Sequence, residues 1–403
     1  MNFEVVIIGS DANAYYMARC AHEAYGKKVK LISVKPMSFV VHSSIIDAKY
    51  DERLWDKEKF PIAMNEYVKE INADKIVCIS SNETYARYLV ANADKLDKRI
   101  VYNYVDLEFL DSLMMKDKFY ETYRNSGLLP KTIIYNLDDE LNIDFDFPVI
   151  IKPSNVITFN HIDFEGKKKI YKLNNIEEVN ETINYFKNSD YNDTLIIQEF
   201  IPGDDSSLFD GVIYSNSKGK CEFFALAQIG LQEHTSNMVG NAACLINNFN
   251  TNNDDNKEII NTFKNFMEKI NFKGLAELDI KYDYRDKKYK ILEINARQGR
   301  CSYYVSAAGF NLVKCVVDDL VFNKENDFKI VDKEIGLTYV PKGIIKKYVK
   351  NETFKKEILK LYKEKKVVYP LSYKKDMPLK RKIFLLRKHF RYYKDYKNSY
   401  WKN

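Results

Sequence analysis

Two short segments of the chain carry acids at strand spacing. In Glu277-Leu278-Asp279-Ile280-Lys281 two carboxylates stand two residues apart, and Ile291-Leu292-Glu293-Ile294-Asn295 repeats the interval with a carboxylate and a carboxamide. Side chains two apart on a strand leave the same face. Paired as an antiparallel hairpin, the segments bring three carboxylates and a carboxamide together, which is costly until a cation neutralises them. A few hard oxygen donors suit Mg2+, which takes its remaining ligands from water and phosphate. Arg297-Gln298-Gly299-Arg300 follows at once, adding two guanidinium groups of the kind that offset developing charge in phosphoryl transfer. The competing reading is a solvated sheet face with alternating charges. Upstream, Lys118 on a helix and Lys152 at a strand end are candidates for phosphate contacts.

The elements that must position these residues can be read from apolar patterning. Residues 5–8 form a short apolar strand ended by Gly9-Ser10-Asp11, then comes a helix through residues 15–21 and a second strand at 29–34. The unit recurs at 75–79 and 84–92, so the first hundred residues read as parallel α/β. Gly9 has no partners for a G-x-G-x-x-G fingerprint, which favours a plain structural turn over dinucleotide binding. A helix over 112–125 carries Lys116 and Lys118 and stops at Gly127 and Pro130, placing a domain boundary near 110. Strands at 147–153, 193–200, 212–215, 222–229, 275–284 and 289–294 follow, several joined by short polar turns that imply mostly antiparallel pairing. The Asn- and Asp-rich stretch 247–256 reads as an exposed loop.

Size and composition narrow the class. At 403 residues with 45% hydrophobic and 30% charged residues, the chain has material for two or three packed domains and is not a disordered one. Six cysteines at irregular spacing, with no C-x-x-C pair, speak against a zinc site or a disulfide framework and for a reducing cytoplasm. No segment approaches the apolar length of a spanning helix or a secretory signal. The net charge of +6 hides an asymmetry: residues 342–403 hold 21 Lys and Arg against 5 Asp and Glu, the preceding 341 residues 42 against 52. The body is acidic and the tail basic.

In order and spacing, five motifs resemble the ATP-grasp family. They are Asp117-Lys118 in a helix ending in Gly and Pro, Phe147-Pro148-Val149-Ile150-Ile151-Lys152-Pro153, Ile197-Gln198-Glu199-Phe200-Ile201-Pro202-Gly203, Asp279, and Leu292-Glu293-Ile294-Asn295-Ala296-Arg297. The resemblance implies an α/β and α+β chain: a Rossmann-like pre-ATP-grasp domain over 1–110, a two-lobed ATP-grasp fold over 111–330 with a lid subdomain at about 149–200, and a basic extension over 331–403. It implies ATP and Mg2+ as cofactors. Lys118 and Lys152 would meet the phosphates, Gln198 the adenine amino group, the backbone at Glu199 and Ile201 the hinge contacts, and Asp205 the ribose. Asp279, Glu293 and Asn295 would hold Mg2+, and Arg297 would stabilise an acyl-phosphate and its transition state. Glu277 would serve the substrate or a structural ion pair. Family members often cover the phosphates with a glycine-rich loop. Here residues 164–169 offer instead a cationic element with Lys168, read as a closing lid against the alternative of an ordinary basic hairpin.

Residues 231–235, 239–241 and 297–305, together with 164–169, are similar to the D-aspartate ligase branch, which activates the β-carboxylate of D-aspartate and joins it to the lysine side chain of a peptidoglycan precursor. Arg300 and His234 are then candidates for the second carboxylate of a dicarboxylic substrate. The basic tail reads either as helices docked on the acidic body or as a peripheral contact with an anionic membrane or precursor. Two other functions stay open: an ATP-grasp amino-acid or peptide ligase for another carboxylate, and a polyanion-binding protein without catalysis. The acidic cluster argues against the last and against a nucleic-acid partner.

Overall fold

The computed structural model describes residues 2–164, 166–233, 238, 240–247 and 254–399. Packing divides the chain into two units, one of Met1–Leu107, Asp204–Leu278 and Asn295–Asn403, the other of Glu108–Gly203 and Asp279–Ile294.

The first unit opens with β1 (Phe3–Ile8), α1 (Ala12–Tyr25), β2 (Val29–Ser33), β3 (Ile46–Tyr50), α2 (Phe60–Lys69), β4 (Lys75–Ser80), α3 (Glu83–Ala91) and β5 (Ile100–Val101). All five strands are parallel, in the order β3-β2-β1-β4-β5. The apolar run in β1 is continuous because both faces are covered: Val5 and Ile7 join the core that contains α1, while Val6 and Ile8 join the one that contains α2. The chain leaves β1 through Gly9 at φ +122°, where a Cβ would come within 2.0 Å of Ser81 Oγ. Asp11 then caps α1 by accepting from the Ala14 amide at 2.9 Å, and Asn82 caps α3 by accepting from Tyr85 at 3.0 Å.

The second unit contains most of α4 (Leu107–Met114), α5 (Lys116–Tyr123), β6 (Thr132–Tyr135), β7 (Val149–Pro153), α6 (Val156–His161), β8 (Tyr171–Leu173), α7 (Ile176–Lys187) and β9 (Leu195–Glu199). Its sheet runs β6-β9-β7-β8 with antiparallel pairs. Val149 and Ile151 of β7, with Leu195 and Ile197 of β9, enter a core closed by Phe186 and Tyr191. Strand alternation therefore sends Lys152 and Gln198 to the opposite face.

The chain returns to the first unit with β10 (Leu208–Ser215), β11 (Cys221–Gln232), β12 (Ala242–Asn247), α8 (Asp254–Lys269) and β13 (Gly274–Asp283). β13 runs on into the second unit after Leu278 and pairs there with β14 (Lys288–Asn295). The first unit closes with α9 (Tyr303–Ala307), α10 (Leu312–Leu320), β15 (Lys329–Ile330), β16 (Ile335–Thr338), α11 (Lys342–Tyr348), α12 (Glu352–Lys363), β17 (Val367–Val368) and α13 (Leu379–Ser399). β11 and β12 pair antiparallel, as do β12 and β16.

The basic tail is docked. Ile344 and Ile345 of α11, Phe354, Ile358 and Leu361 of α12, and Tyr392 and Tyr396 of α13 lie in one core with β11 and β12. A buried ion pair ties it to the N-terminal residues. Asp376 and Arg381, both 0% exposed in their side chains, stand 3.4 Å apart. Asp376 accepts from Tyr15, Ser43 and Ser44, while Arg381 donates to the Phe39 and Leu371 carbonyls and lies 3.6 Å from the Tyr15 ring centroid. Burial opposes ionisation of Asp376, but the Ser43, Ser44 and Tyr15 donors outweigh it and hold the carboxyl below its usual range. Removing one partner leaves a buried charge uncompensated. Asp376→Ala is expected to cost about 3–5 kcal/mol of stability, read by equilibrium denaturation at neutral pH.

Candidate active site

In the second unit, the face of the sheet opposite the core gathers the chemistry. Lys152 Nζ donates to Tyr120 Oη at 3.0 Å and to Gln198 Oε1 at 3.3 Å. Gln198 in turn donates to Thr132 Oγ1 at 2.8 Å, and Tyr120 Oη donates to the Leu292 carbonyl at 2.6 Å. Each bond fixes the orientation of the next, so the ammonium is placed before any ligand arrives. Burial lowers the Lys152 pKa to about 8, although the Asp279 and Glu293 carboxylates pull it the other way. Burial also pushes the Tyr120 phenol up to about 12, so it stays protonated at neutral pH.

Helix α5 supplies a second cation that residue types alone did not single out. Lys116 Nζ stands 2.9 Å from Glu293 Oε1. Lys116 and Tyr120 are four residues apart and share a helix face, whereas Lys118, two residues from each, is exposed. The spacing to Tyr120 was the available signal, though it needed the knowledge that Tyr120 is the buried side. Lys168 is also exposed, with its amide donating to Tyr171 Oη at 2.7 Å. Nearby, Lys167 Nζ donates to the Ile162 carbonyl and lies 4.9 Å from the Phe159 ring centroid. The Glu199 carboxylate accepts from the Lys131 amide at 2.8 Å and pairs with Arg285 at 2.9 Å, and Ile201 is buried.

The first unit holds its own charged network. Arg297 reaches Glu83 at 2.6 Å and Glu277 at 3.0 Å. Burial works against its charge, but the Glu83 and Glu277 carboxylates prevail and hold it above the ordinary arginine value. Glu277 is raised by burial in spite of Arg297, and accepts from Asn295 Nδ2 at 3.5 Å. The chain passes Glu277 without a side chain at Gly299, where a Cβ would lie 1.8 Å from a carboxylate oxygen; the Gly299 carbonyl accepts from Tyr16 Oη at 2.5 Å. Arg300 pairs with Glu233 at 2.7 Å and stacks 4.0 Å from the Tyr339 ring centroid. Tyr392, from the tail, donates to Glu233 at 3.3 Å. Asp205 accepts from the Gln232 amide at 2.9 Å, and His234 lies outside the described residues. The link between Glu233 and Tyr392 escaped sequence reasoning because 159 positions separate them and no local pattern joins them.

Asp279 and Glu293 supply hard oxygen donors beside Lys152. Among the described residues no group of three or more His, Cys, Asp or Glu forms a closed metal cage. A sparse carboxylate pair of this kind fits Mg2+, which keeps several waters and completes its shell with phosphate.

The comparisons agree with this chemistry. Residues 144–299 match the ATP-grasp domain family. The chain is 30% identical, over 398 residues, to a D-aspartate ligase of Enterococcus faecium (strain Aus0004), covering 95% of this chain and 93% of that one. The chain belongs to the ATP-grasp family. Its fold is shared with an L-amino acid ligase from Bacillus licheniformis at TM-score 0.55 and 16% identity, over 79% of this chain and 74% of that one. It is shared also with N5-carboxyaminoimidazole synthetase from Staphylococcus aureus at TM-score 0.60 and 14% identity, over 86% of each. This ATP-grasp ligase uses ATP and Mg2+ and releases ADP.

Gly299 gives a local test of the charged network. Gly299→Ala drives a methyl into Glu277 and is expected to cost about 1–3 kcal/mol, as overpacking does. Glu277→Ala in the same chain makes room for the methyl but also strips Arg297 of a carboxylate, so the double variant is expected to lose less melting temperature than the sum of the two single variants.

Proposed function

We propose that this ligase joins the β-carboxylate of D-aspartate to the lysine side-chain amine of a peptidoglycan precursor. The observation that carries the reading is the 30% identity to a D-aspartate ligase across 95% of the chain. An amine cannot displace oxide from a carboxylate, and bound ATP supplies the phosphoryl group that turns that oxygen into a leaving group. The chain's own residues have to position groups and neutralise charge, so no nucleophilic side chain is needed.

On their surroundings, Lys152 and Lys116 are the proposed phosphate contacts of the second unit, with Lys116 taking the place first given to Lys118. Tyr120 and Gln198 hold the Lys152 ammonium still. Asp279 and Glu293 are the proposed Mg2+ ligands, with Asn295 as the further candidate. Arg297, assigned on its own surroundings in the first unit, is the proposed group that offsets charge on the activated carboxylate. Arg300 is already paired with Glu233, so it is proposed to act with that carboxylate, presenting a zwitterionic surface to an amino acid rather than a bare guanidinium.

Two measurements test the reading. ADP release in the presence of UDP-linked muramyl pentapeptide is expected with D-aspartate and not with L-aspartate; turnover with L-aspartate alone overturns the substrate assignment. The second measurement concerns Lys152. In the nucleotide-free enzyme its ammonium is charged below about pH 8 and neutral above it. ADP affinity, measured by calorimetry from neutral to alkaline pH, is expected to fall about tenfold per pH unit above that value. Lys152→Arg is expected to flatten the profile. A flat profile in the unaltered enzyme removes Lys152 as a phosphate contact.

A further inference from the structure

Helix α13 has two faces. Arg381, Tyr392 and Tyr396 are buried, and Leu385 packs beside them. On the other side Leu379, Ile383, Leu386, Phe390 and Tyr393 are 72%, 41%, 57%, 64% and 43% exposed. Their spacing of four, three, four and three residues confines them to an arc of about 80° and a stripe about 21 Å long on an ideal helix. Five of the fourteen exposed large apolar side chains among the described residues stand on this one helix, which scatter does not explain.

The stripe has a charged border. Lys382 and His389 flank it on one side, Arg387 and Lys394 on the other, all exposed. The only acid in α13 is Asp395, which lies 3.5 Å from Arg391. We propose that this face is a docking surface for an anionic lipid bilayer, with α13 lying in the plane of the interface. Apolar side chains would enter the acyl boundary while the bordering cations meet acidic headgroups. No helix among the described residues is long and apolar enough to cross a membrane, so the contact is peripheral. A second copy of the chain fits the face less well. Apposed stripes would set Lys382, Arg387 and Lys394 against like charge, with no acids at the bordering positions to answer them. The inward face needs no rearrangement, because Arg381 and the two buried tyrosines hold α13 to its own unit throughout.

The proposal does not depend on the reaction assigned above, and its test needs no substrate. The full chain is sedimented with vesicles of phosphatidylcholine alone and of phosphatidylcholine with phosphatidylglycerol. Binding is expected to the anionic vesicles only, and to weaken at high salt. The double variant Leu386→Glu, Phe390→Glu is expected to bind more than about tenfold more weakly, with unchanged circular dichroism and melting temperature. Absence of binding, equal binding to both vesicle types, or unaltered binding by the variant overturns the proposal. So does a dimer in sedimentation velocity without lipid that the same variant dissociates, which assigns the face to a second copy.

Discussion

A carboxylate taken out of water must find a cation or several donors, and that requirement organises this chain. Three buried acids meet it in different ways, and a half-exposed fourth, Glu293, has another kind of partner. Asp376 has Arg381 and a ring of hydroxyl and amide donors, and this pair secures the end of the chain to its beginning. Glu233 has Arg300. Glu277 shares Arg297 with Glu83. Glu293 has the Lys116 ammonium rather than a guanidinium. The difference is chemical. A guanidinium forks between two partners and keeps its proton, which suits a permanent junction; a lysine is a point charge that can swing to a phosphate when one arrives.

The sequence made the alternation legible and left the partners hidden. Period-two acids in β13 and β14, and the strand ending at Lys152, needed only the geometry of a pleated strand. Lys152 and Gln198 could be placed on one face because Val149, Ile151, Leu195 and Ile197 occupy the other. Lys116 could not be preferred over Lys118 without knowing that Tyr120, buried with Phe119 in α5, is the side chain that meets Lys152. The Glu233, Arg300 and Tyr392 group depends on a strand end, a loop and a helix that meet only in the folded chain.

The tail shows the same limit. Counting charges revealed an excess of Lys and Arg over 342–403 and left two readings open, helices docked on the body or a contact with an anionic surface. What holds it down is apolar and aromatic: Phe354, Ile358, Tyr392 and Tyr396 enter the core with β11 and β12 while most of the lysines remain in solvent. Charge described the outside of these helices, and the residues between the charges described where they sit. The α/β opening was easier to read, since its central strands β1 and β4 are covered on both faces and show it as near-continuous apolar runs.

The hydrogen bond from Tyr15 to Asp376 joins residues 361 positions apart. At roughly 5–20 residues per second, the ribosome takes roughly 20–70 seconds to travel between them. During that interval the inner surface of α1 has no Asp376, no Arg381 and no Tyr373 to close over it, because those residues do not yet exist. The second unit draws most of its residues from the continuous stretch 108–203 and can begin to assemble far earlier. Birth order and packing order are therefore at odds in the first unit, whose α1 waits for residues 373–381 before that surface is covered.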